Sequence, residues 1–294
     1  MGLNVPLLDR IDLFFSFLVN LIEKVFFFSI FGFPLIILWL IFGGLFCTLR
    51  MGFISLRGFK HALELVLEPE STSIPDAKGE VSAFQALATA LSGSVGLGNI
   101  AGVAIAISVG SPGAVLWMTL SGLLGMSIKF VECTLGLKYR LIKPDGTTTG
   151  GPMYYLTKGF KERGLPGGRV LAVLFSVFCI LGALGGGNMF QANQAHQQIS
   201  SVVGGYPGWI SGVIFAAVVF AVIVGGLKSI ARVTEKVVPF MGIMYVGAAL
   251  IILIMNYDKI GWAFGQIFEG AFTGLGVAGG MVGALIQGFK RAAF

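Results

Sequence analysis

The chain has 294 residues, of which 55% are hydrophobic and only 12% are charged, whereas soluble domains carry about 25% charged residues. This composition excludes a soluble globular domain and indicates a membrane protein. The formal net charge of +6 is explained by basic residues near the membrane surface and by anionic lipid headgroups, so nucleic acid is not a predicted partner.

Seven membrane-spanning helices are predicted from the runs of the chain that carry almost no charge. A span needs about 20 apolar residues, and Gly–Pro turns at residues 108–114 and 204–209 divide the longer runs. The predicted spans are residues 25–49, 83–109, 114–137, 170–202, 209–227, 237–257 and 262–289. Before them, residues 7–27 place polar side chains at helical spacing on an apolar background, which predicts an interfacial amphipathic helix and no removable signal peptide.

The basic residues alternate in number across the predicted spans. Sixteen Lys and Arg lie on one side of the membrane, and three lie on the other, namely Arg10, Lys24 and Lys259. Cytoplasmic loops are enriched in Lys and Arg. We therefore predict a multi-pass protein of the cell (inner) membrane, with the N-terminus outside and residue 294 in the cytoplasm.

The second predicted span contains the segment SGSVGLGNIAG, at residues 92–102. A glycine inside a helix costs roughly 1 kcal/mol relative to alanine. The GxxxG spacing of Gly98 and Gly102 is typical of close helix packing, but it explains neither Gly93 nor Gly96. The alternative is an unwound turn, whose exposed backbone groups bind substrate and sodium in transporters.

A second cluster of glycines lies at the centre of the seventh span, residues 262–289. Two interrupted spans that lie five spans apart are typical of an inverted repeat whose binding site lies where the interruptions meet. We therefore predict three segments. Residues 1–82 form the interfacial helix, an extra span and a cytoplasmic linker, residues 83–257 form a first five-helix repeat, and residues 258–294 form the first, broken helix of a second repeat.

Polar amides recur at helical spacing along the fourth span, at Gln191, Gln194 and Gln198, with Asn188 near the same stripe. Amide hydrogen bonds between helices contribute about 0.6 kcal/mol each, so structural packing is one interpretation. The other is that Gln191, and Asn188 beside it, point into a cavity and bind a polar ligand. For His196, nearer the outer surface, an interfacial position and a proton relay are the two alternatives.

Three charged side chains lie within or near the spans. Lys129 and Glu132 are three residues apart and are expected to neutralise each other. Glu269, in the outer part of the seventh span, is either a functional acid or an interfacial residue. The sequence contains no hydrolytic motif, no metal-ligand spacing and no CxxC pair, so we predict neither an enzyme nor a bound cofactor.

Four motifs resemble the alanine or glycine:cation symporter (AGCS) family in order and spacing: TALSGSVGLGNIAGVAIAISVGSPGAVLWM, GMSIKFVECTLGLKYR, GTTTGGPMYYL and GGGNMFQANQ. The resemblance runs from about residue 30 to the last residue. It implies an all-α polytopic membrane protein of the five-plus-five inverted-repeat (amino-acid–sodium symporter) architecture. It also implies symport of a small neutral amino acid, such as alanine or glycine, with sodium (in some members protons) as the coupling ion.

The resemblance implies roles for individual residues. The backbone amides of Leu97 and Gly98 are expected to bind the substrate carboxylate, and the carbonyls of Ser92 and Val95 a sodium ion. The other expected substrate-binding residues are Gly96, Asn99, Gln191, Phe272, Gly274 and Gly276.

Two features depart from the family pattern. Many members carry a hydroxyl residue where this chain has Leu97, and a backbone contact survives that change whereas a side-chain contact does not. Members also continue past the position of residue 294 with further spans, so the resemblance implies a C-terminal truncation. The alternatives to a working symporter are a half-transporter that needs a second polypeptide, and a membrane remnant that does not transport. A channel is disfavoured because no ring-forming acidic or carbonyl motif repeats.

Overall fold

The computed structural model describes residues 33–67 and 81–272, with residues 28–30 and positions 13, 16, 17 and 20 before them. Most of this part of the chain is helical. The α-helices are α1 (Leu35–Arg50), α2 (Ile54–Arg57), α3 (Phe59–Leu67), α4 (Ala83–Ser94), α5 (Leu97–Gly110), α6 (Ala114–Lys138), α7 (Pro152–Glu162), α8 (Gly168–Gly182), α9 (Phe190–Val203), α10 (Gly208–Ile223), α11 (Gly226–Met255) and α12 (Ile260–Phe272). A π-helix (Ala183–Met189) joins α8 to α9, and a 3-10 turn (Tyr257–Lys259) precedes α12.

Two short antiparallel hairpins accompany the helices. β1 (Ser29–Ile30) pairs with β2 (Phe33–Pro34), and β3 (Leu141–Ile142) pairs with β4 (Thr148–Thr149). In the turn of the second hairpin, the hydroxyl and the N–H of Thr147 donate to Asp145 Oδ1 at 2.7 and 2.9 Å. These two bonds stabilise the charged carboxylate and so lower the pKa of Asp145.

The first predicted span, residues 25–49, is wrong at its start. Residues 29, 30, 33 and 34 are in the β1–β2 hairpin, and the helix begins only at Leu35, directly after Pro34. Proline has no N–H to donate and disfavours helical geometry in the residue before it. The proline therefore limits α1 to 16 residues.

The other helices follow the predicted spans more closely. Among the described residues, three helices are long and apolar enough to cross a membrane, at Ala114–Lys138, Gly168–Val203 and Gly226–Met255, and the bent pair α4–α5 is a fourth if it counts as one span. The helices α1 and α10 are apolar but shorter. Most of the predicted interfacial helix, and the seventh span beyond Phe272, lie outside the described residues.

The helix α11 differs from the predicted sixth span because it begins at Gly226 and not near residue 237. Lys228, Arg232 and Lys236 therefore lie within the first turns of a helix. Lys and Arg are good helix formers, and Ala231 is fully buried in the same turns. The change from a charged to an apolar sequence thus marks no boundary of this helix.

Burial separates small residues from large ones. The buried positions include Ala88, Ala106 and Ala231, whereas large apolar side chains such as Phe46 and Ile251 are exposed. Only 6–11% of the apolar stretches of the three long helices is buried. Small residues at contacts and large apolar residues facing outward are typical of helices packed in lipid, so the chain is an all-α, multi-pass membrane protein.

The chain divides into two compact units. The first contains Met1–Phe53, Gly102–Ile128 and Gly261–Phe294, and the second contains Ile54–Ala101 and Lys129–Ile260. The predicted segments 1–82, 83–257 and 258–294, and the inverted repeat built from them, remain a prediction.

Glycines allow close helix contacts within each unit. In the first unit, a Cβ at Gly44 of α1 would lie 2.9 Å from Leu124 Cβ of α6. In the second unit, a Cβ at Gly168 of α8 would lie 2.6 Å from Phe160 Cβ of α7. Any larger residue at either position requires the paired helices to move apart.

Candidate functional site

The helix formed by residues 83–110 is interrupted within the glycine-rich segment. Its two halves, α4 and α5, differ in direction by 41°, and Val95 between them is extended, with φ −94° and ψ 111°. The interruption lies inside residues 92–102, where the sequence raises the alternative of an unwound turn.

The interruption leaves backbone groups unpaired on both of its sides. The N–H of Val95 donates to Leu91, and the N–H of Asn99 donates to Gly96, at 2.8 and 3.1 Å. Within the described part of the chain, no backbone donor reaches the carbonyls of Ser92 and Val95. In the same residues, the amides of Leu97 and Gly98 reach no backbone acceptor.

The serine hydroxyls near the interruption do not compete for these groups. Ser92 Oγ donates to the Thr89 carbonyl at 2.7 Å, and Ser94 Oγ donates to the Ala90 carbonyl at 2.8 Å. Both hydroxyls are therefore turned back onto α4. What the segment offers to a ligand at this point is its main chain.

The amide of Gln191 lies directly beside the interruption. A Cβ built on Gly96 would be 3.3 Å from Gln191 Nε2 and 3.7 Å from Cδ and Oε1. Glycine at position 96 thus permits the carboxamide to lie against the main chain. No hydrogen-bond partner for the Gln191 amide is found among the described residues, so both its donor and its acceptor are free for a ligand.

Gln191 lies just after a π-helix that is not predicted from the sequence. In this segment, Ala183–Met189, the N–H of Phe190 donates to Gly185, five residues back. Asn188 Nδ2 donates to the carbonyl of Ala183 at 2.7 Å, across the same turn. Such segments are rare and are frequent at functional sites. Asn188, one of the candidate ligand-binding residues, therefore has a local partner. In the sequence, the three glycines before Asn188 were the only indication of an irregular helix here.

Polar side chains also join α4 to α11, and this contact is not predicted from the sequence. Gln85 Nε2 donates to Glu235 Oε2 at 2.8 Å, and the hydroxyls of Thr89 and Thr234 lie 3.0 Å apart. A capping box fixes the orientation of the Gln85 amide, because Gln85 Oε1 accepts from the N–H of Ser82. The spacing S-x-x-Q at residues 82–85 is the sequence signal that could have predicted this capping box.

An apolar cavity of about 520 Å³ lies between the interrupted helix and α11. Val95 and Asn99 from the interruption line it, together with Pro239 and Tyr245 of α11. Its other lining residues are almost all apolar, which does not suit a ligand with two charges. The polar groups that fit such a ligand are those of the interruption itself.

Three further candidates have side-chain partners. His196 Nδ1 lies 3.0 Å from Ser211 Oγ, and Tyr206 Oη lies 2.6 Å from the same oxygen, which favours a structural role at the turn before α10. Lys129 Nζ lies 2.9 Å from Glu132 Oε2, which confirms the predicted ion pair. Glu269 accepts from Gln266 at 3.5 Å.

The structure brings together only some of the predicted site residues. Gly96, Leu97, Gly98, Asn99 and Gln191 share the second unit with Ser92 and Val95, and Phe272 belongs to the first unit. Gly274 and Gly276 lie outside the described residues. Within the described residues, no group of three or more His, Cys, Asp or Glu side chains could hold a metal ion.

An interrupted spanning helix with free main-chain groups and a free amide beside it is typical of secondary transporters. Comparison with known proteins agrees. The chain matches the sodium:alanine symporter family over residues 16–294, and it belongs to that family.

Three relatives illustrate the similarity. The chain is 41% identical to the sodium/alanine symporter AgcS of Methanococcus maripaludis over 262 residues, which are 89% of this chain and 57% of that protein. It is 36% identical to the putative sodium/proton-dependent alanine carrier protein YrbD of Bacillus subtilis, over 82% of this chain and 48% of the relative. It is 33% identical to the probable sodium/glutamine symporter GlnT of Bacillus subtilis, over 88% of this chain and 52% of the relative.

The chain thus spans about half the length of the curated relatives it matches. This coverage does not confirm the predicted C-terminal truncation. The relatives are named as symporters and carriers, so the chain is of a transporter family and is not an enzyme, as predicted.

Proposed function

We propose that this protein is a sodium-coupled symporter of a small neutral amino acid, alanine or glycine, which works by alternating access around glycine-broken helices. The observation that carries the proposal is the interruption between α4 and α5, where unpaired main-chain groups of both polarities lie beside the free Gln191 amide. Family membership and the names of two alanine-related relatives support it.

The two helix ends that meet at the interruption suit the substrate carboxylate and the sodium ion. The amides of Leu97 and Gly98 lie at the N-terminus of α5, where the helix dipole favours an anion such as the substrate carboxylate. The carbonyls of Ser92 and Val95 lie at the C-terminal end of α4, where the dipole favours a cation, and free carbonyls bind sodium in such transporters.

Coupling follows from this arrangement. A sodium ion and a carboxylate bound on the two sides of a short unwound turn attract each other, so each raises the affinity for the other to the same extent. We expect sodium to lower the KM for the amino acid. The proposal needs no resident cofactor, because sodium is a co-transported ion.

The side-chain part of the site is also proposed. Gln191 offers a donor and an acceptor to a zwitterionic amino acid, and Asn99 closes the first turn of α5 through its main chain. The remaining proposed substrate-binding residues are Gly96, Phe272, Gly274 and Gly276. One relative is named as a glutamine symporter, which indicates that the size of the transported amino acid varies within the family. The preference for a small substrate is therefore part of the proposal.

The protein is proposed to lie in the cell (inner) membrane with its N-terminus outside and residue 294 in the cytoplasm. The asymmetry of Lys and Arg supports this orientation.

Uptake of labelled alanine into liposomes that contain the purified full-length protein tests the function. An inward sodium gradient is expected to drive uptake, and replacement of sodium by choline is expected to abolish it. Equal uptake in choline, with the proton gradient dissipated, contradicts the proposal. Competition by unlabelled alanine, glycine and glutamine then ranks the substrates.

A further inference from the structure

The turn between α5 and α6 packs main chain against main chain on the last described turn of α12, within the first unit. Ser111 has φ +69°, and it is 9% exposed. A Cβ at Gly113 would overlap the backbone of Gly270 and Ala271. Ala271 itself is fully buried. Glycine at position 113 therefore permits the two main chains to be in direct contact.

Two side chains of this region donate to the last described turn of α12. Ser111 Oγ donates to the Gly270 carbonyl at 3.4 Å, and Trp117 Nε1 donates to the Ala271 carbonyl at 3.3 Å. The N–H of Gly113 in turn donates to Ser111 Oγ at 3.3 Å. These two side-chain donors tie the last described turn of α12 to the residues around the turn between α5 and α6.

The indole ring of Trp117 also contacts Phe272, the last described residue of α12. The two ring centroids lie 5.9 Å apart, with an interplanar angle of 66°, which is an edge-to-face arrangement. Trp117 is thus held through its N–H to the residue before Phe272 and through its ring to Phe272 itself. Phe272 is 58% exposed, and among the described residues the indole of Trp117 is a ring contact that restricts its rotamers.

We propose that Trp117 is a positioning residue of the substrate site, which acts by fixing the orientation of the Phe272 ring. The inference rests on the proposed function, in which Phe272 contacts the amino acid. Trp117 itself is not proposed to contact the substrate. Its role is to hold Phe272 in one rotamer before the substrate arrives, so that binding does not have to order the ring.

The test is a double-substitution cycle with Trp117→Leu and Phe272→Leu, in the full-length protein in liposomes. Trp117→Leu removes both the donor and the ring contact, and we expect it to raise the KM for alanine about 3- to 10-fold. The maximal rate per folded transporter is expected to stay near that of the unsubstituted protein. In the Phe272→Leu background the same substitution is expected to have no further effect on KM, because the group that it positions is gone.

Two more variants separate positioning from a merely structural role. Trp117→Phe keeps an aromatic ring and loses the N–H, so it is expected to restore most of the alanine affinity lost in Trp117→Leu. Trp262→Leu is the matched control, because Trp262 lies on the same helix as Phe272 and is 69% exposed. It is expected to leave KM unchanged.

The possible failures are distinguishable. Additive effects of Trp117→Leu and Phe272→Leu on KM, or a Trp117→Phe variant no better than Trp117→Leu, overturn the positioning role while sodium-dependent uptake stands. If Trp117→Leu lowers only the amount of folded protein and leaves the KM unchanged, the positioning role is also overturned. Absence of sodium-dependent uptake by the unsubstituted protein overturns the proposed function together with this inference.

Discussion

Replacement of Gly96 by alanine is the most direct perturbation of the interruption. The new Cβ would lie 3.3 Å from Gln191 Nε2, closer than an ordinary contact, and the amide must retract by a few tenths of an ångström. Because the clash is with the end of a flexible side chain, folding is expected to tolerate it. The position of the Gln191 carboxamide is expected to change, and with it the binding of substrate.

The expected size of the effect follows from the hydrogen bond that Gln191 is proposed to make. A typical hydrogen bond contributes about 0.5–1.5 kcal/mol net. About 1.4 kcal/mol corresponds to a tenfold change in affinity, so Gly96→Ala is expected to raise the KM for alanine by roughly 2- to 12-fold. A glycine-to-alanine change also favours helix by about 1 kcal/mol, and this contribution needs its own control.

Gly93→Ala supplies that control. Gly93 lies in α4, and nothing lies within 4 Å of a Cβ built on it, so this variant has the gain in helix propensity without the contact to Gln191. We expect its initial rates of alanine uptake to equal those of the unsubstituted protein. In a Gln191→Ala background, Gly96→Ala is expected to have no further effect on KM. If Gly96→Ala and Gly93→Ala give the same KM as the unsubstituted protein, the proposed role of Gln191 is refuted.

Two other predictions concern packing and the π-helix. Gly113→Ala is expected to lower the free energy of unfolding by about 1–3 kcal/mol, because its Cβ would overlap the backbone of Gly270 and Ala271. The measurement is the melting temperature in detergent, which is expected to fall. The control is Gly122→Ala, which is expected to leave it unchanged because nothing lies within 4 Å of a Cβ there. Asn188→Ala removes the donor to the Ala183 carbonyl and is expected to raise the KM for alanine about 2- to 10-fold by displacing Gln191. The control is Asn193→Ala, which loses only side-chain contacts to Gln194 and Gln197, and equal KM values for the two variants would contradict a positioning role for Asn188.

Much of the helical organisation could be predicted from hydropathy and from the Gly–Pro turns. The interruption in the second span could also be predicted as one of two alternatives, because close packing through Gly98 and Gly102 does not explain Gly93 and Gly96. What the sequence could not give was the neighbour of the interruption. The contact between Gly96 and Gln191 depends on the packing of two helices that are distant in sequence. Local sequence patterns do not report such packing.

The errors have local physical causes. The start of α1 was misplaced because apolar residues continue on both sides of Pro34, so hydropathy hid the effect of the proline. The predicted start of α11 is wrong because charged residues do not end a helix, and Lys and Arg are good helix formers. The π-helix has no hydropathy signal, since its residues differ from α-helical ones only in hydrogen-bond register.

The capping box at the start of α4 has a mechanical consequence. With 12 residues, this helix is about 18 Å long, and its far end is the interruption, where the main chain is not held by helical hydrogen bonds. A tilt of only about 10° around that end moves the capped end by about 3 Å. Gln85, near the capped end, moves almost as far, and Thr89, near the middle of the helix, moves about half as far. Both contacts to α11 are stretched, at a cost of about 1–3 kcal/mol if the two hydrogen bonds are lost. The helix is therefore a short lever that is joined to α11 by two polar contacts and by apolar packing that buries Ala88 and Val238. Its pivot is the segment proposed to bind the ligands.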